Sequence, residues 1–507
     1  MEKRTIKRAL ISVYHKEGID VIAKQLIKSG IEILSTGGTF DYLTEIGLPV
    51  KSIEEVTTYP SILGGRVKTL HPKVFGGILC RRDNDTDISQ VNEYDIPEID
   101  LVIVDLYPFE KYVSSNASHQ EIVEKVDIGG ISLIRAAAKN YRDVLIIPCK
   151  ELYPSLLKVL TEGNGVTDLK ERSYFAAWAF NVSSHYDTAI FNYFNKEAAI
   201  ESFRISANES QPLRYGENPH QKALFYGSPD GVPKQVHGKE ISYNNLLDIE
   251  AAIELISDFQ EPTVAILKHN NACGCASRET IASAWEAALA ADPVSAFGGI
   301  IIANREIEED AAEEMNKLFC EVIIAPAYSD SALEILRQKK NRIILINSAD
   351  QRSSRKFRSM LGGVLVQDRD AAVEGEDSLI PVTTKRASQQ ERADMIFANK
   401  IVKHSKSNAI VLAKNSTLIS SGIGQTSRVD ALKQAILKAH TFGFSLKGAA
   451  MASDAFFPFP DCVEIAHNEG ITAVIQPGGS MRDSESIEYC NNNGVAMVIT
   501  NTRHFKH

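Results

Sequence analysis

The sequence predicts an α/β protein: a parallel-sheet domain followed by a larger, internally repeated α/β region. Three observations predict it. Short apolar strands alternate with helical stretches through the first 150 residues, the rhythm of a parallel sheet covered by helices. A second α/β pattern begins near Phe203. Within it, Ala265-Ile266-Leu267-Lys268-His269-Asn270 resembles Val411-Leu412-Ala413-Lys414-Asn415, which points to a duplicated unit. At 507 residues one core is not expected, and about two to four domains are.

Ala9-Leu10-Ile11-Ser12-Val13 reads as a short strand, and a helix follows from Ile19 to Ser29. Ile31-Glu32-Ile33-Leu34-Ser35 is the next strand and ends in the turn Thr36-Gly37-Gly38-Thr39. Leu101-Val102-Ile103-Val104-Asp105 and Val144-Leu145-Ile146-Ile147 complete the apolar strands of a domain over 1–150. From Asp168 to Phe194 the pattern turns helical and aromatic, and 151–200 reads as a connecting segment packed between domains.

In the second region, Thr263-Val264-Ala265-Ile266-Leu267 is an apolar run that ends in Lys268-His269-Asn270-Asn271. As a strand of a parallel sheet it would carry these four polar residues where ligands bind. A solvated strand end followed by a turn fits the four residues equally well. Asp292-Pro293-Val294-Ser295-Ala296-Phe297 follows the first copy and Ser453-Asp454-Ala455-Phe456-Phe457 the second. The repeated subdomains are placed at 201–345 and 391–507, with a connector over 346–390. Within that connector, Ser348 to Ser359 reads as a loop and Asp368 to Gln390 as a polar link.

Apolar residues make up 44% and charged residues 24%, as in ordinary globular proteins. The formal charge of −10 gives no electrostatic case for nucleic acid. Seven scattered cysteines argue against a disulfide framework and for a reducing compartment, the cytoplasm. Cys273-Gly274-Cys275 has no second pair to complete a zinc set, so no metal site is expected. No apolar run reaches the length of a membrane span, and the basic start leads into a strand rather than a signal core.

Four clusters fall where loops should follow strands in the first domain. They are Ser12 with Lys16; Thr36-Gly37-Gly38-Thr39; Gly64-Gly65-Arg66-Val67-Lys68-Thr69-Leu70-His71-Pro72; and Asp127-Ile128-Gly129-Gly130 with Ser132, Arg135 and Lys139. Glycines before a helix let backbone N–H groups approach an anion. Each cluster alone also suits a capped turn. Several glycine–hydroxyl–cation loops in one small domain point to a phosphorylated ligand. Neither the G-x-G-x-x-G fingerprint after a strand nor a P-loop is present, which argues against dinucleotide binding and ATP hydrolysis.

Together these motifs resemble one family. Its N-terminal half is matched by Gly64 to Pro72, by Leu106-Tyr107-Pro108-Phe109, and by Asp127-Ile128-Gly129-Gly130 with Arg135-Ala136-Ala137-Ala138-Lys139-Asn140. Its C-terminal half is matched by Leu213-Arg214-Tyr215-Gly216-Glu217-Asn218-Pro219-His220-Gln221, Lys268 to Asn271, Ser453 to Phe459, and Arg503-His504-Phe505. The family is the bifunctional purine biosynthesis protein, AICAR formyltransferase joined to IMP cyclohydrolase. The resemblance implies a methylglyoxal-synthase-like N-terminal domain and two cytidine-deaminase-like α/β/α units. It implies formyl transfer from 10-formyltetrahydrofolate to AICAR in the C-terminal half and dehydrative closure of formyl-AICAR to IMP in the N-terminal half. A homodimer follows from it, with no nucleic-acid or membrane partner. No residue pattern marks a monovalent cation, although one is compatible with the reading.

The resemblance also assigns roles. His269 is the base for the AICAR amine, Lys268 assists it, and Asn408 orients the formyl group. Arg214, Tyr215, His220, Asn245, Gly298, Glu321, Arg428, Phe456 and Arg503 surround AICAR. Asp461, Ser480 and Met481 lie on the folate side. For ring closure, Lys139 is the first choice of assisting cation, with Lys68, Tyr107 and Asp127. Ser12, Lys16, Thr36, Gly37, Gly38, Thr39, Arg66 and Thr69 hold the nucleotide. Tyr14-His15 stands where the family usually has Ser-Asp, Ala272 where it has Pro, and Pro460 where it has Arg. A zinc deaminase is disfavoured because its His-x-Glu and Pro-Cys-x-x-Cys signature is missing. A nucleotide-binding regulator without turnover would have damaged catalytic positions, yet Lys268, His269, Asn408 and Lys139 are all present.

Overall fold

The computed structural model describes residues 3–115, 117–227, 231–347 and 353–507. It divides into two units, Met1–Asn208 and Glu209–His507.

The main sheet of the first unit has five strands: β1 (Arg8–Ser12), β2 (Glu32–Ser35), β3 (Lys51–Ser52), β4 (Leu101–Val104) and β5 (Leu145–Ile147). Their order is β3-β2-β1-β4-β5, and every pairing is parallel. The strands are apolar at successive positions, because a parallel sheet is covered on both faces; Leu10, Ile11, Val102, Ile103 and Ile146 are all fully buried. Helix α1 (Ile19–Lys28) buries Ile19, Ile22, Ala23 and Leu26, a stripe at helical spacing. Helices α2 (Gly37–Glu45), α3 (Pro72–Leu79), α4 (Phe109–Ser114), α5 (Gly129–Lys139) and α6 (Tyr153–Thr161) follow.

The segment 151–200 read as a connector holds α6 and a 30-residue helix, α7 (Leu169–Ala198), opened by a capping box of Asp168 with Glu171. It is built into the first unit. Buried Arg172 donates to the carbonyls of Tyr141 (2.9 Å) and Arg142 (2.8 Å), before β5, and of Thr167 (2.8 Å), before α7 itself.

The second unit contains two six-stranded sheets of one topology. The first is formed by β6 (Lys234–His237), β7 (Thr263–Lys268), β8 (Asn271–Ser277), β9 (Ile300–Ala303), β10 (Val322–Ala325) and β11 (Ile343–Ile346), in the order β6-β11-β10-β9-β7-β8. An exposed hairpin follows, β12 (Arg355–Met360) with β13 (Gly363–Asp368). The second sheet is formed by β14 (Ile380–Pro381), β15 (Ile410–Ala413), β16 (Leu418–Gly422), β17 (Ala450–Ser453), β18 (Ala473–Gln476) and β19 (Ala496–Ile499), in the order β14-β19-β18-β17-β15-β16. Parallel and antiparallel pairings fall at the same places in both. Helices α8 (Tyr243–Ile256) and α10 (Gln389–Lys403) share one apolar core with both sheets. Helices α9 (Ile281–Ala291), α11 (Arg428–Thr441) and α12 (Asp461–Asn468) cover the outer faces.

Several sequence expectations are corrected. The Thr263–Leu267 strand is not in a parallel environment: β7 is antiparallel to both β8 and β9. Lys268 ends it, and His269 and Asn270 form a two-residue hairpin turn with φ of 51° and 64°. A tight hairpin between right-twisted strands needs left-handed backbone at both central residues. Asn415 and Ser416 repeat this turn between β15 and β16, with φ of 53° and 49°. The lysine–asparagine half of the repeat is therefore structural. The Asp–Phe half is not, since Asp292–Phe297 precedes β9 whereas Ser453 ends β17. Residues 348–352 of the expected loop lie outside the described residues, but Arg355–Met360 is a strand. The polar link contains β14, which pairs with β19.

Candidate functional sites

In the first unit, β1 connects to β2 on one side while β4 lies on its other side. The carboxyl ends of β1 and β4 thus flank a topological switch point, where α/β sheets open a crevice. Thr36 caps α2, and Gly37, Gly38 and Thr39 form its first turn. The first-turn N–H groups of a helix have no intrahelical acceptor. Thr39 is buried and ties this turn to the end of β1: its hydroxyl accepts from Val13 N (3.1 Å) and from Lys16 Nζ (3.1 Å) and donates to Val13 O (2.9 Å). Lys16 also donates to Val13 O, and burial pulls its ammonium below the ordinary lysine range.

Lys68 reaches the same turn. A Cβ on Gly37 would stand 2.6 Å from Lys68 Nζ, so glycine leaves the space the ammonium fills. Thr69 is buried with its hydroxyl against Gly129, at the start of α5. Asp127, just before that helix, accepts from Gly130 N (2.6 Å). Burial raises its carboxyl above the ordinary aspartate value, against the backbone donors of Gly130, Ile131 and Tyr107. Tyr186 of α7 fixes the loop, accepting from Asp127 N (3.0 Å) and donating to Lys125 O (2.7 Å). The Tyr107 ring meets Tyr14 edge-on at 5.2 Å. Arg66 pairs with Glu124 at the exposed rim.

Ser12 ends β1 beside this cluster, and Lys139 stands at the far end of α5 from Gly129. It is the last residue of α5, about 15 Å along the helix axis from Gly129. Next to it, Asn140 donates to Ile78 O (2.8 Å) and Cys80 O (2.9 Å), before the chain re-enters the sheet at the start of β5. Lys139 thus stands at the opposite end of α5 from Gly129, the end next to Asp127. Asp105 is the residue the sequence reading missed. It ends the β4 run, is buried, and accepts from the backbone N–H groups of Tyr14 and His15.

In the second unit the Lys268–Asn271 hairpin is fixed at each residue. Lys268 Nζ donates to Phe297 O at 2.6 Å, next to Gly298, whose φ is 73°. Asn270 N donates to Asp248 Oδ1 (2.6 Å). Burial raises the Asp248 carboxyl, and the nearby His269 opposes that rise. Asn271 donates to His269 O (2.7 Å) and accepts from Lys406 N (3.0 Å), which joins the hairpin to the segment carrying Asn408. Neither Asp248 nor this bridging role of Asn271 was foreseen. Asp248 lies one helical turn after the expected Asn245, which is the signal that could have found it.

Asn408 donates to Gln425 O (3.0 Å) and accepts from Arg428 Nη2 (3.1 Å). Arg428 also reaches Asp454 (2.7 Å), Ser453 Oγ (2.8 Å) and Phe456 O (3.3 Å). The structure therefore brings Asn408, Arg428 and Phe456 together. On the other side of the hairpin, Asn245 donates to Glu321 (3.1 Å), which also pairs with Lys239 (3.3 Å).

Arg214, Tyr215 and His220 lie on a largely exposed loop tied to α8 by Asn244 Nδ2 to Glu217 O (3.2 Å). Arg503 stacks over Phe505 at 4.4 Å. Its neighbour His504 is buried between Asp370 (2.6 Å) and Glu374 (3.0 Å), which lift its imidazole to about 9. Asp461 opens α12, and Arg482 over Phe459 (4.8 Å) draws the Ser480-Met481 loop towards it. Among the described residues, no group of three or more His, Cys, Asp or Glu side chains is placed to hold a metal ion.

Comparison with known proteins gives two family matches, the second of which begins within the first unit. Residues 18–132 match the MGS-like domain, and residues 137–438 match the AICARFT/IMPCHase bienzyme. The chain is similar to the bifunctional purine biosynthesis protein PurH of Bacteroides thetaiotaomicron, 62% identical over 506 residues and 100% of both chains. It is 48% identical to the PurH protein of Acetivibrio thermocellus over 517 aligned residues, covering 99% of this chain and 100% of that one. With the PurH protein of Aquifex aeolicus it shares 46% identity over 510 aligned residues, covering 99% and 100% respectively. This chain belongs to the AICARFT/IMPCHase bienzyme family.

Proposed function

We propose that the second unit transfers a formyl group from 10-formyltetrahydrofolate to AICAR and that the first unit closes formyl-AICAR to IMP. The observation that carries this reading is the hairpin turn. It presents His269 between an anchored Lys268 and an Asn271 that is hydrogen-bonded to the Asn408 segment.

In the transfer step the 5-amino nitrogen attacks the formyl carbon. His269 takes the amine proton, and Lys268 and Asn408 stabilise the oxygen as it gains charge. Arg428 orients Asn408 through its carbonyl oxygen. Expulsion of tetrahydrofolate then leaves formyl-AICAR. Arg214, Tyr215, His220, Asn245, Gly298, Glu321, Phe456 and Arg503 are assigned to AICAR, and Asp461, Ser480 and Met481 to the folate. In the closure step the first-turn N–H groups of α2 with Lys16 hold the phosphate. Lys68 stabilises the formyl oxygen, and Asp127 and Tyr107 face the reacting amide. Lys139 keeps the assisting-cation role that the family resemblance assigns it, alongside Lys68.

The folate is a co-substrate. A homodimer is supported by the hairpin β12–β13, which exposes Met360, Leu361, Val364, Leu365 and Val366 on strands otherwise open to solvent. Among the described residues no helix is long and apolar enough to cross a membrane. A cytoplasmic location fits the seven unpaired cysteines. The test is to give the purified protein AICAR with 10-formyltetrahydrofolate and, separately, formyl-AICAR alone. Tetrahydrofolate release in the first and IMP in both are expected; no IMP from formyl-AICAR would remove the closure assignment.

A further inference from the structure

The switch point of the first sheet carries a pair of side chains that none of the roles above uses. β1 runs into Val13-Tyr14-His15-Lys16 and β4 into Asp105-Leu106-Tyr107. The two strands are hydrogen-bonded neighbours, and their onward connections diverge to β2 and β5. Across the crevice His15 Nδ1 lies 2.6 Å from Asp105 Oδ2. The carboxylate is fixed in turn by the backbone N–H groups of Tyr14 and His15, the latter at 3.1 Å. A carboxylate bonded to Nδ1 sets both the tautomer and the aim of an imidazole. Among the described residues Nε2 takes no hydrogen-bond partner, and the side chain is 41% exposed whereas that of Asp105 is 8% exposed. The ring is thus anchored at one nitrogen and open at the other. Tyr14, edge-on to it at 4.9 Å, packs against Tyr107.

We propose that His15 is an acid–base residue of ring closure, exchanging protons with the substrate through Nε2 while Asp105 positions it. This rests on the assignment of ring closure to the first unit. Attack of the carboxamide nitrogen on the formyl carbon, with its proton passing to the formyl oxygen, gives a carbinolamine. Nε2–H then protonates the hydroxyl, the C–O bond breaks, and water leaves. The electron pair of the former 5-amino N–H bond forms the C=N bond. Its proton returns to Nε2, so the imidazole ends as it began, and no oxidant or reductant is consumed.

The charged groups nearest the ring are Asp105 and, on the same loop, Lys16. Tyr14, Tyr107, Tyr112 of α4 and Tyr153 of α6 are the phenols around the pair, and Asp127 adds a second carboxyl near Asp105. At the rim Glu17 and Lys150 pair with each other at 3.3 Å.

The test follows IMP formation from formyl-AICAR across about pH 5.5 to 9 with the full chain, a range that brackets the ordinary imidazole titration. In the wild type, kcat falls on the alkaline side as the imidazolium is lost. His15→Gln lowers kcat by about 100-fold and flattens that limb, while KM changes little. Asp105→Asn keeps an acceptor for the backbone donors and moves the limb to lower pH. An unchanged kcat in a folded His15→Gln protein, or an effect confined to KM, overturns the assignment. If that variant does not fold, an unmoved limb in Asp105→Asn overturns it. A wild-type chain that cannot close formyl-AICAR overturns both this role and the reading beneath it; a wild type that closes it beside an unaffected His15→Gln overturns this role alone.

Discussion

His504 makes the folding of the second unit depend on pH. Its imidazole is 2% exposed and lies between Asp370 (2.6 Å) and Glu374 (3.0 Å), and Asn399 donates to Glu374 at 2.9 Å. The two carboxylates outweigh burial and raise the imidazole from 6.5 to about 9. A folded-state value above the unfolded one means that folding favours the protonated ring. The stabilisation is therefore complete below pH 6.5 and is lost as the pH rises through about 9. At about 1.4 kcal/mol per pH unit, this amounts to about 3 kcal/mol, with little discount because the ring is buried. The assay is denaturant unfolding followed by Trp285, which is buried in the second unit, in a Trp178→Phe background. The wild type should lose about 3 kcal/mol between pH 6.5 and 9.5 relative to His504→Gln. Parallel pH profiles for the two proteins would refute the reasoning.

Gly37→Ala would push a methyl group into Lys68 Nζ and place alanine at a φ of 54°; ring closure should fall by about 10-fold or more while formyl transfer is unchanged, as read by separate IMP and tetrahydrofolate assays. Asn271→Ala removes both side-chain bonds that tie the hairpin to itself and to Lys406. Formyl transfer should drop about 10- to 100-fold, with ring closure of supplied formyl-AICAR intact. Asp258→Ala leaves Lys403 (2.9 Å) and His404 (2.7 Å) without the carboxylate that joins α8's end to α10. Unfolding measurements should show a loss of about 3 kcal/mol.

The parts legible in the sequence were those set by local pattern. Apolar runs such as Leu101–Val104 marked the parallel strands, since burial on both faces leaves no polar position. The Lys-(His)-Asn echo marked the duplicated hairpins because a two-residue turn restricts which residues fit. Strand direction was not legible: Thr263–Lys268 has the same composition whether its neighbours run with it or against it. Nor was the end of α5 on which Lys139 falls: four residues after Arg135 it shares that residue's helix face, and it lies at the opposite end of the helix from Gly129. Asp105 was read as a strand end. Its role appears only when β1 and β4 are set side by side, a pairing between residues 90 apart.

Two chemically separate sites on one chain are the centre of this account, and a crossed pair of variants tests it most directly. His269→Ala and Lys68→Met are each given AICAR with 10-formyltetrahydrofolate and, separately, formyl-AICAR. His269→Ala should release no tetrahydrofolate yet close formyl-AICAR at the wild-type rate. Lys68→Met should release tetrahydrofolate normally and accumulate formyl-AICAR. Loss of both activities in either folded variant would contradict it.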